Sequence, residues 1–425
     1  MYKKILVLSL LIIATLMMIG CRKDNSNSQQ KDKKGQEDLA LMQEEVTITP
    51  TEATPAPEAT PTPEAIVDIK NEHGEFIPNE MNVKTLGRTY LQDKVLWLSQ
   101  SATGIEFTFS GTLCQIDLIG DTSVTTAGGK GHEARVGIYL NDELVEDILM
   151  DEVNKTITVH EGDLIEGRVR LVKLSESSDS SLGIRGIKTD GESIKPTPNK
   201  SLRIEFIGDS ITCGYGVDDK LGGKYSTANE NAAKSYAYKT AGKLDADYSM
   251  VAYSGYGIIS GYTSNGDINP TSILPPYYNK FGKSYFNMAA DLAPISVNWE
   301  FNKFSPHIIV INLGTNDSSY CGTDTVKSTA FSNLYTKFLH TVREKNSDAY
   351  IICSFGIMGD TLYPYIEDAV TKYKEESGDT KISSMKFDVQ LSSDGYAVDW
   401  HPSEKTHEKA ADKLVSYIKE LGLTN

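Results

Sequence analysis

Five runs in the second half of the chain are apolar almost without interruption: "RIEFIG" (203–208), "YSMVAY" (248–253), "PHIIVINLG" (306–314), "AYIICSFG" (349–356) and "MKFDVQL" (385–391). A strand that is apolar on both faces can be exposed to water on neither, so such runs belong to a sheet covered on both sides. Amphipathic segments separate them, among them 325–345, with Leu334, Phe338 and Val342 on one face, and 403–421, with Ala410, Leu414 and Ile418. Apolar runs alternating with helices predict a parallel sheet sandwiched between helical layers, an α/β domain spanning 198–425.

Residues 66–197 have a different period. In "GIEFTFSG" Ile105, Phe107 and Phe109 alternate with polar neighbours, and in "CQIDLIG" Cys114, Ile116 and Leu118 do the same. "ARVGIYLN", "KTITVHEG" and "GRVRLVKL" follow, with turns between them. Many short alternating strands without a helical period predict an antiparallel β-sandwich, here with no catalytic constellation of its own. The turn-rich "KPTPNK" (195–200) joins the two domains.

The start of the chain supplies an address. Lys3 and Lys4 precede an apolar run, 5–19, and Gly20 leads into Cys21 and the polar "RKDNSNSQQ". The run is short for a membrane span and has the pattern of an export signal. "MIGC" resembles the bacterial lipobox, whose cysteine is acylated, although Met18 stands where that motif prefers leucine. The expectation is a lipoprotein signal peptide over 1–21, lipidation at Cys21, and a protein held on the extracellular face of the cell membrane, or secreted if the signal is simply cleaved. Residues 22–65, ending in "TITPTEATPAPEATPTPEA", cannot bury enough apolar surface to offset chain entropy and are expected to be a disordered spacer rich in Pro, Thr and Glu. A net charge of −16 argues against nucleic acid as a partner. The remaining cysteines, Cys114, Cys213, Cys321 and Cys353, show no metal-site spacing and read as small core residues.

In open α/β sheets, ligands bind beyond the carboxyl ends of the strands. Four elements fall there: Ser210 after the first run, "YSGYG" (253–257) after the second, "GTND" (314–317) after the third, and "VDWHPS" (398–403) entering the last helix. A serine hydroxyl needs a base to attack a carbonyl, and His401 is the candidate. The charge developing on the carbonyl oxygen needs preorganised donors, for which Ser210 N–H, Gly257 N–H and the Asn316 amide are the natural set; Gly255 is the less favoured glycine of its block. Each residue also has a plainer reading: Ser210 as an N-cap, Asn316 in an Asx turn, His401 as a helix-capping surface histidine. His307 opens a strand and reads as structural, His407 as solvated on a helix face, and Asp209 as a brace of the serine turn. Trp400 is the candidate platform for a sugar ring, with Tyr256 and Tyr262 weaker candidates of the same kind and core packing as the alternative.

The ordered set "GDS", "SGYG", "GTND" and "DWHP" resembles the SGNH (GDSL) hydrolase superfamily, which implies a flavodoxin-like three-layer fold, Ser210 as nucleophile, Gly257 and Asn316 as oxyanion donors and His401 as base. That superfamily commonly carries an aspartate three residues before the histidine, where this chain has Val398. Either Asp399 is recruited to orient the ring, or a main-chain carbonyl does so in a Ser-His dyad, the arrangement favoured here. From about Val83 onward, "LGRTY", "GIEFTFSGT", "GDSITCGYG" and "DWHPS" are similar to carbohydrate esterase family 2, in which a β-sandwich (jelly roll) precedes the SGNH domain. The resemblance implies an acetyl xylan esterase-like enzyme that deacetylates polysaccharides such as xylan or glucomannan with neither cofactor nor metal. The alternatives are a lipase or thioesterase of the same superfamily, and a non-catalytic carbohydrate-binding protein of the cell envelope.

Overall fold

A switch of side-chain parity decides the shape of the N-terminal half. Along β4 (Gly104–Gly120) the inward residues are odd-numbered up to Phe109 and Gly111 and even-numbered from Cys114 on. A flat strand cannot change face, because its side chains alternate strictly. In the computed structural model, which describes residues 70–424, the pairing of β4 with its antiparallel partner shifts register twice, between Gly111 and Leu113 and between Cys114 and Gln115. "GIEFTFSG" and "CQIDLIG", which read as two short strands, therefore belong to one strand bent by bulges. "KTITVHEG" and "GRVRLVKL" are likewise one strand.

The strands of this half are β1 (Lys84–Leu86), β2 (Thr89–Gln92), β3 (Val95–Leu98), β4, β5 (Arg135–Leu140), β6 (Glu143–Leu149), β7 (Asn154–Lys173), β8 (Leu182–Thr189) and β9 (Ile194–Pro196). They hydrogen-bond in the order β2-β3-β8-β4-β7-β5-β6, with β1 and β9 also on β4. The first half of β4 pairs with β1 and β9 and its second half with β8, so the sheet folds over itself along the long strands. Ile105, Phe107, Ile116, Val136, Leu171 and Ile184 meet in the resulting core.

The C-terminal half carries five parallel strands, β10 (Leu202–Gly208), β11 (Ala246–Ala252), β12 (Ile308–Asn312), β13 (Tyr350–Ile357) and β14 (Ile382–Val389), in the order β11-β10-β12-β13-β14. The helices are α1 (Ser210–Cys213), α2 (Tyr236–Lys243), α3 (Thr315–Cys321), α4 (Thr325–Lys345), α5 (Tyr363–Ser377) and α6 (Glu404–Glu420). Ile204, Phe206, Ile308 and Val310 pack with Tyr236 and Ala241 of α2 and Leu414 and Ile418 of α6. The alternate positions are covered from the other side, where Tyr335 of α4 reaches Cys353. This is the three-layer arrangement expected.

The two sheets lie in one compact unit. Leu86, Ala102, Val172 and Leu174 of the first half join the cluster beside β10. Arg88 is wholly buried between them; it donates to the Tyr278 and Lys280 carbonyls at 2.6 and 2.8 Å and lies 3.3 Å from Glu205. A buried guanidinium is tolerated because carbonyls and a carboxylate replace its water. Cys114, Cys213, Cys321 and Cys353 are buried free thiols, as expected. No helix among the described residues is long and apolar enough to cross a membrane. The expectations for 1–21, Cys21 and 22–65 fall outside the described residues.

Candidate active site

Three strands end level: Gly208 pairs with Ala252 of β11 and with Asn312 of β12. At the end of β10 the chain turns sharply into α1. Asp209 caps that helix, its carboxylate accepting the Ile211 N–H at 3.0 Å, and Gly214 closes it in the left-handed conformation. A side chain at Gly208 would strike the Thr212 hydroxyl at 2.0 Å, so the tight turn requires glycine there. The turn presents Ser210 with its N–H at the start of a helix.

His401 arrives from the opposite side. Asp399 and Trp400 both adopt positive φ, 50° and 64°. That conformation is strained for tryptophan, and it folds the backbone back so that the Val398 carbonyl accepts both the His401 N–H and its ring Nδ1–H, each at 3.0 Å. A carbonyl can only accept, so the proton sits on Nδ1 and the Nε2 lone pair is free. Nε2 lies 2.8 Å from the Ser210 hydroxyl. Burial pushes the imidazole down to about 4, so the ring is neutral at neutral pH, with Nε2 unprotonated and able to accept. Asp399 makes no carboxylate hydrogen bond to the ring. Its carboxylate accepts the Tyr215 hydroxyl at 3.0 Å, and the Tyr215 ring lies 4.3 Å from the imidazole, backed in turn by Tyr225 at 4.0 Å. The orienting role considered for Asp399 therefore falls to the Val398 carbonyl, and Tyr215 is a neighbour of the base that sequence reasoning missed. Its place in "CGYG", directly after the serine helix, was the available signal.

In the second block the glycine with a spare N–H is Gly255, not the expected Gly257. The Gly257 N–H is spent on the Ser272 carbonyl at 3.1 Å, and a side chain there would meet the Ser260 carbonyl at 2.1 Å and the Asp317 carboxylate at 2.5 Å. Gly257 is a packing glycine. Gly255 instead occupies the third position of a turn in which Tyr256 N–H reaches the Tyr253 carbonyl; its φ is +81°, as a type II turn demands, and among the described residues its N–H has no protein acceptor. Asn316, second residue of α3, gives one amide proton to the Tyr256 carbonyl at 2.7 Å and keeps the other. Asp317 beside it accepts the N–H groups of Ile258, Ile259 and Ser260 at 2.7–3.1 Å, clamping the same loop. Ser210, Gly255 and Asn316 are thus the available donors, and Gly257 is not.

Trp400 is 59 % exposed and Tyr262 61 % exposed, so neither is a core residue; Tyr256 is buried. His307 accepts the Arg203 N–H at 3.1 Å, a structural role. His407 is buried rather than solvated: α2 covers its face of α6, and Nδ1 accepts the Tyr236 N–H at 3.1 Å. One group among the described residues, Glu176, Cys213 and Glu230, brings metal-ligand atoms within 4.8 Å of one another. Burial raises Glu176 to about 7 and holds Glu230 and the Cys213 thiol well above their usual values. A cleft of about 600 Å³ lined by Lys84, Arg203, Asp247 and Trp299 lies at the other end of the strands and shares no residue with the dyad.

Comparison with known proteins matches residues 206–409 to the GDSL-like Lipase/Acylhydrolase family and residues 85–198 to the Carbohydrate esterase 2 N-terminal family. The cellulase/esterase CelE of Acetivibrio thermocellus is 32% identical over 328 residues, which are 75% of this chain and 37% of CelE, so the chain spans little more than a third of that relative. An acetylxylan esterase / glucomannan deacetylase of Cellvibrio japonicus is 30% identical over 271 residues, 60% of this chain and 69% of the relative. Among solved structures, the acetyl xylan esterase Est2A from the rumen bacterium Butyrivibrio proteoclasticus superposes with a TM-score of 0.73 at 26% identity, covering 82% of this chain and 97% of Est2A.

Proposed function

This chain belongs to carbohydrate esterase family 2, and from that premise we propose that it is a carbohydrate O-acetyl esterase working through a Ser210-His401 dyad. The observation that carries the proposal is the 2.8 Å approach of a neutral, correctly protonated imidazole to the Ser210 hydroxyl. Ser210 attacks the acetyl carbonyl as His401 Nε2 takes its proton. The tetrahedral oxyanion meets the Ser210 and Gly255 N–H groups and the second amide proton of Asn316; one such donor is typically worth about 3 kcal/mol of barrier. His401 then protonates the departing sugar oxygen, and in the second half it takes a proton from the water that attacks the acyl-serine and returns it to Ser210 Oγ as acetate leaves. The imidazolium formed in each half is steadied by the Val398 carbonyl.

The substrate class follows from what surrounds the dyad. Trp400, next to the base, and Tyr262, whose N–H bonds the Gly255 carbonyl at 2.8 Å, offer exposed rings of the kind that cover the apolar faces of sugars. Acetylated xylan and glucomannan, named for the Cellvibrio relative, are the substrates to try first. The sequence around Cys21 supports export and lipid anchoring at the extracellular face, which palmitate labelling of the parent and a Cys21→Ala variant tests. Purified protein should release acetate from these polymers and from an aryl acetate, and Ser210→Ala should abolish release without unfolding the chain. Equal rates for variant and parent would end the proposal. A preference for octanoyl over acetyl aryl esters would favour a lipase instead.

A further inference from the structure

The loop joining β7 to β8 reads "SESSDSS" (175–181), and every residue in it is buried. Loops normally lie on the surface, because a buried one must find a partner for each polar group. This one finds them for most of its groups, the Ser180 hydroxyl being left without one among the described residues. Lys173 Nζ donates to the Ser175 and Glu176 carbonyls at 2.8 and 2.9 Å, Ser177 Oγ lies 2.7 Å from Ser99 Oγ, and Ser181 N–H donates to Asp121 at 2.6 Å. The Glu176 N–H donates to Glu230 across to the C-terminal half at 2.7 Å.

The Glu176 side chain crosses in the same direction. Its carboxylate accepts the Ser254 N–H at 2.8 Å, one residue before Gly255. The turn's other ties come from the C-terminal half, where the Gly255 carbonyl accepts the Tyr262 N–H at 2.8 Å and the Tyr256 carbonyl accepts the Asn316 amide at 2.7 Å; Glu176 is its tie to the N-terminal half. Its own closing bond, Tyr256 N–H to the Tyr253 carbonyl, is long at 3.3 Å, and Gly255 has no side chain to pack. An oxyanion donor is effective only when it is held to within a fraction of an ångström before the reaction starts.

Resting on the reading that Ser210 and His401 perform acyl transfer with Gly255 as an oxyanion donor, we propose that Glu176 is a positioning residue of that turn, lent by the N-terminal sheet to the C-terminal site. The two halves then form one catalytic unit, and the buried polar loop exists to carry this carboxyl to its place. Burial raises the carboxyl to about 7, so glutamine is a fair replacement: it keeps an acceptor oxygen at similar length.

Three variants of the full chain test this on an aryl acetate. Glu176→Ala should lower kcat by roughly 10- to 100-fold, a part of what a whole oxyanion donor is worth, with KM within about twofold of the parent. Glu176→Gln should recover most of that loss. Ser254→Pro removes the same hydrogen bond from the turn's side, at a position where proline suits the turn, and should show the same fall in kcat. Circular dichroism reports folding for each, and Ser254→Pro decides the matter if Glu176→Ala does not fold. A folded Glu176→Ala or Ser254→Pro with the parent's kcat, or a loss confined to KM, overturns the proposal while leaving the esterase reading intact. A parent without esterase activity overturns both.

Discussion

Converting Asp399 to asparagine separates the two ways in which the imidazole could be held. Were the carboxylate the third member of a triad, its amide would cost about 10⁴ in kcat, the loss seen when a catalytic histidine is left in the wrong tautomer. Here Nδ1–H rests on the Val398 carbonyl at 3.0 Å and the carboxylate serves Tyr215 instead. Asparagine tolerates the positive φ of 50° at this position, so the backbone that delivers the carbonyl is kept. What is lost is the charge. Replacing a charge-assisted bond to Tyr215 by a neutral one costs about 1 kcal/mol, and removing an exposed charge near the imidazolium costs at most about 1 kcal/mol more. Together, about 1–2 kcal/mol corresponds to a fall in kcat of roughly 5- to 30-fold. Saturating-substrate rates on an aryl acetate measure it. A fall of about 10³ or more would show that the carboxylate orients the base after all, and the dyad reasoning would be refuted.

Other consequences are equally open to measurement. Because burial lowers His401 to about 4, the acid limb of kcat/KM should fall near pH 4, and a limb at pH 6.5, the ordinary value for histidine, contradicts the buried neutral ring. His407 is lowered to about 3 by burial, while in the unfolded chain it takes up a proton near 6.5; its share of stability is therefore complete above pH 6.5 and is lost as pH falls toward 3, by up to about 1.4 kcal/mol per pH unit. His407→Leu should thus lose less stability between pH 7 and about 4.5 than the parent does in urea titrations; equal losses would contradict this. Gly255→Ala, strained by roughly 1–2 kcal/mol at its positive φ but with open space for the methyl group, should fold and lose kcat, whereas Gly257→Ala should lose thermal stability through its clash with the Ser260 carbonyl. Full activity in Gly255→Ala would show that the turn holds its geometry without glycine, since alanine keeps the N–H. Trp400→Ala should raise KM for acetylated oligosaccharides but not for an aryl acetate.

The parallel sheet was legible because its strands are apolar on both faces, and 325–345 was legible as α4 because its apolar positions recur at helical spacing. The bent β4 was recorded in the sequence as a change of parity between Phe109 and Cys114, but a missing turn and a bulge leave the same letters behind. Ser210, Asn316 and His401 could be read from their places after strand ends. The glycine could not: "SGYG" offers two, and only the turn geometry shows that one N–H is spent on Ser272 while the other is free. His407 and the 175–181 loop were misread or overlooked for a shared reason. Their burial comes from surfaces brought by distant segments, α2 in one case and the C-terminal half in the other, and polarity alone places neither.

The central claim is that Ser210 carries the acyl group, and trapping that intermediate tests it most directly. Acid quenching of the parent during turnover of an acetyl ester, followed by mass spectrometry of its peptides, should find one acetyl group on the peptide containing Ser210 and none on the same peptide of Ser210→Ala. Steady acetate release with no acetylation of Ser210 at any quench time, or with the acetyl group on another residue, would contradict the account.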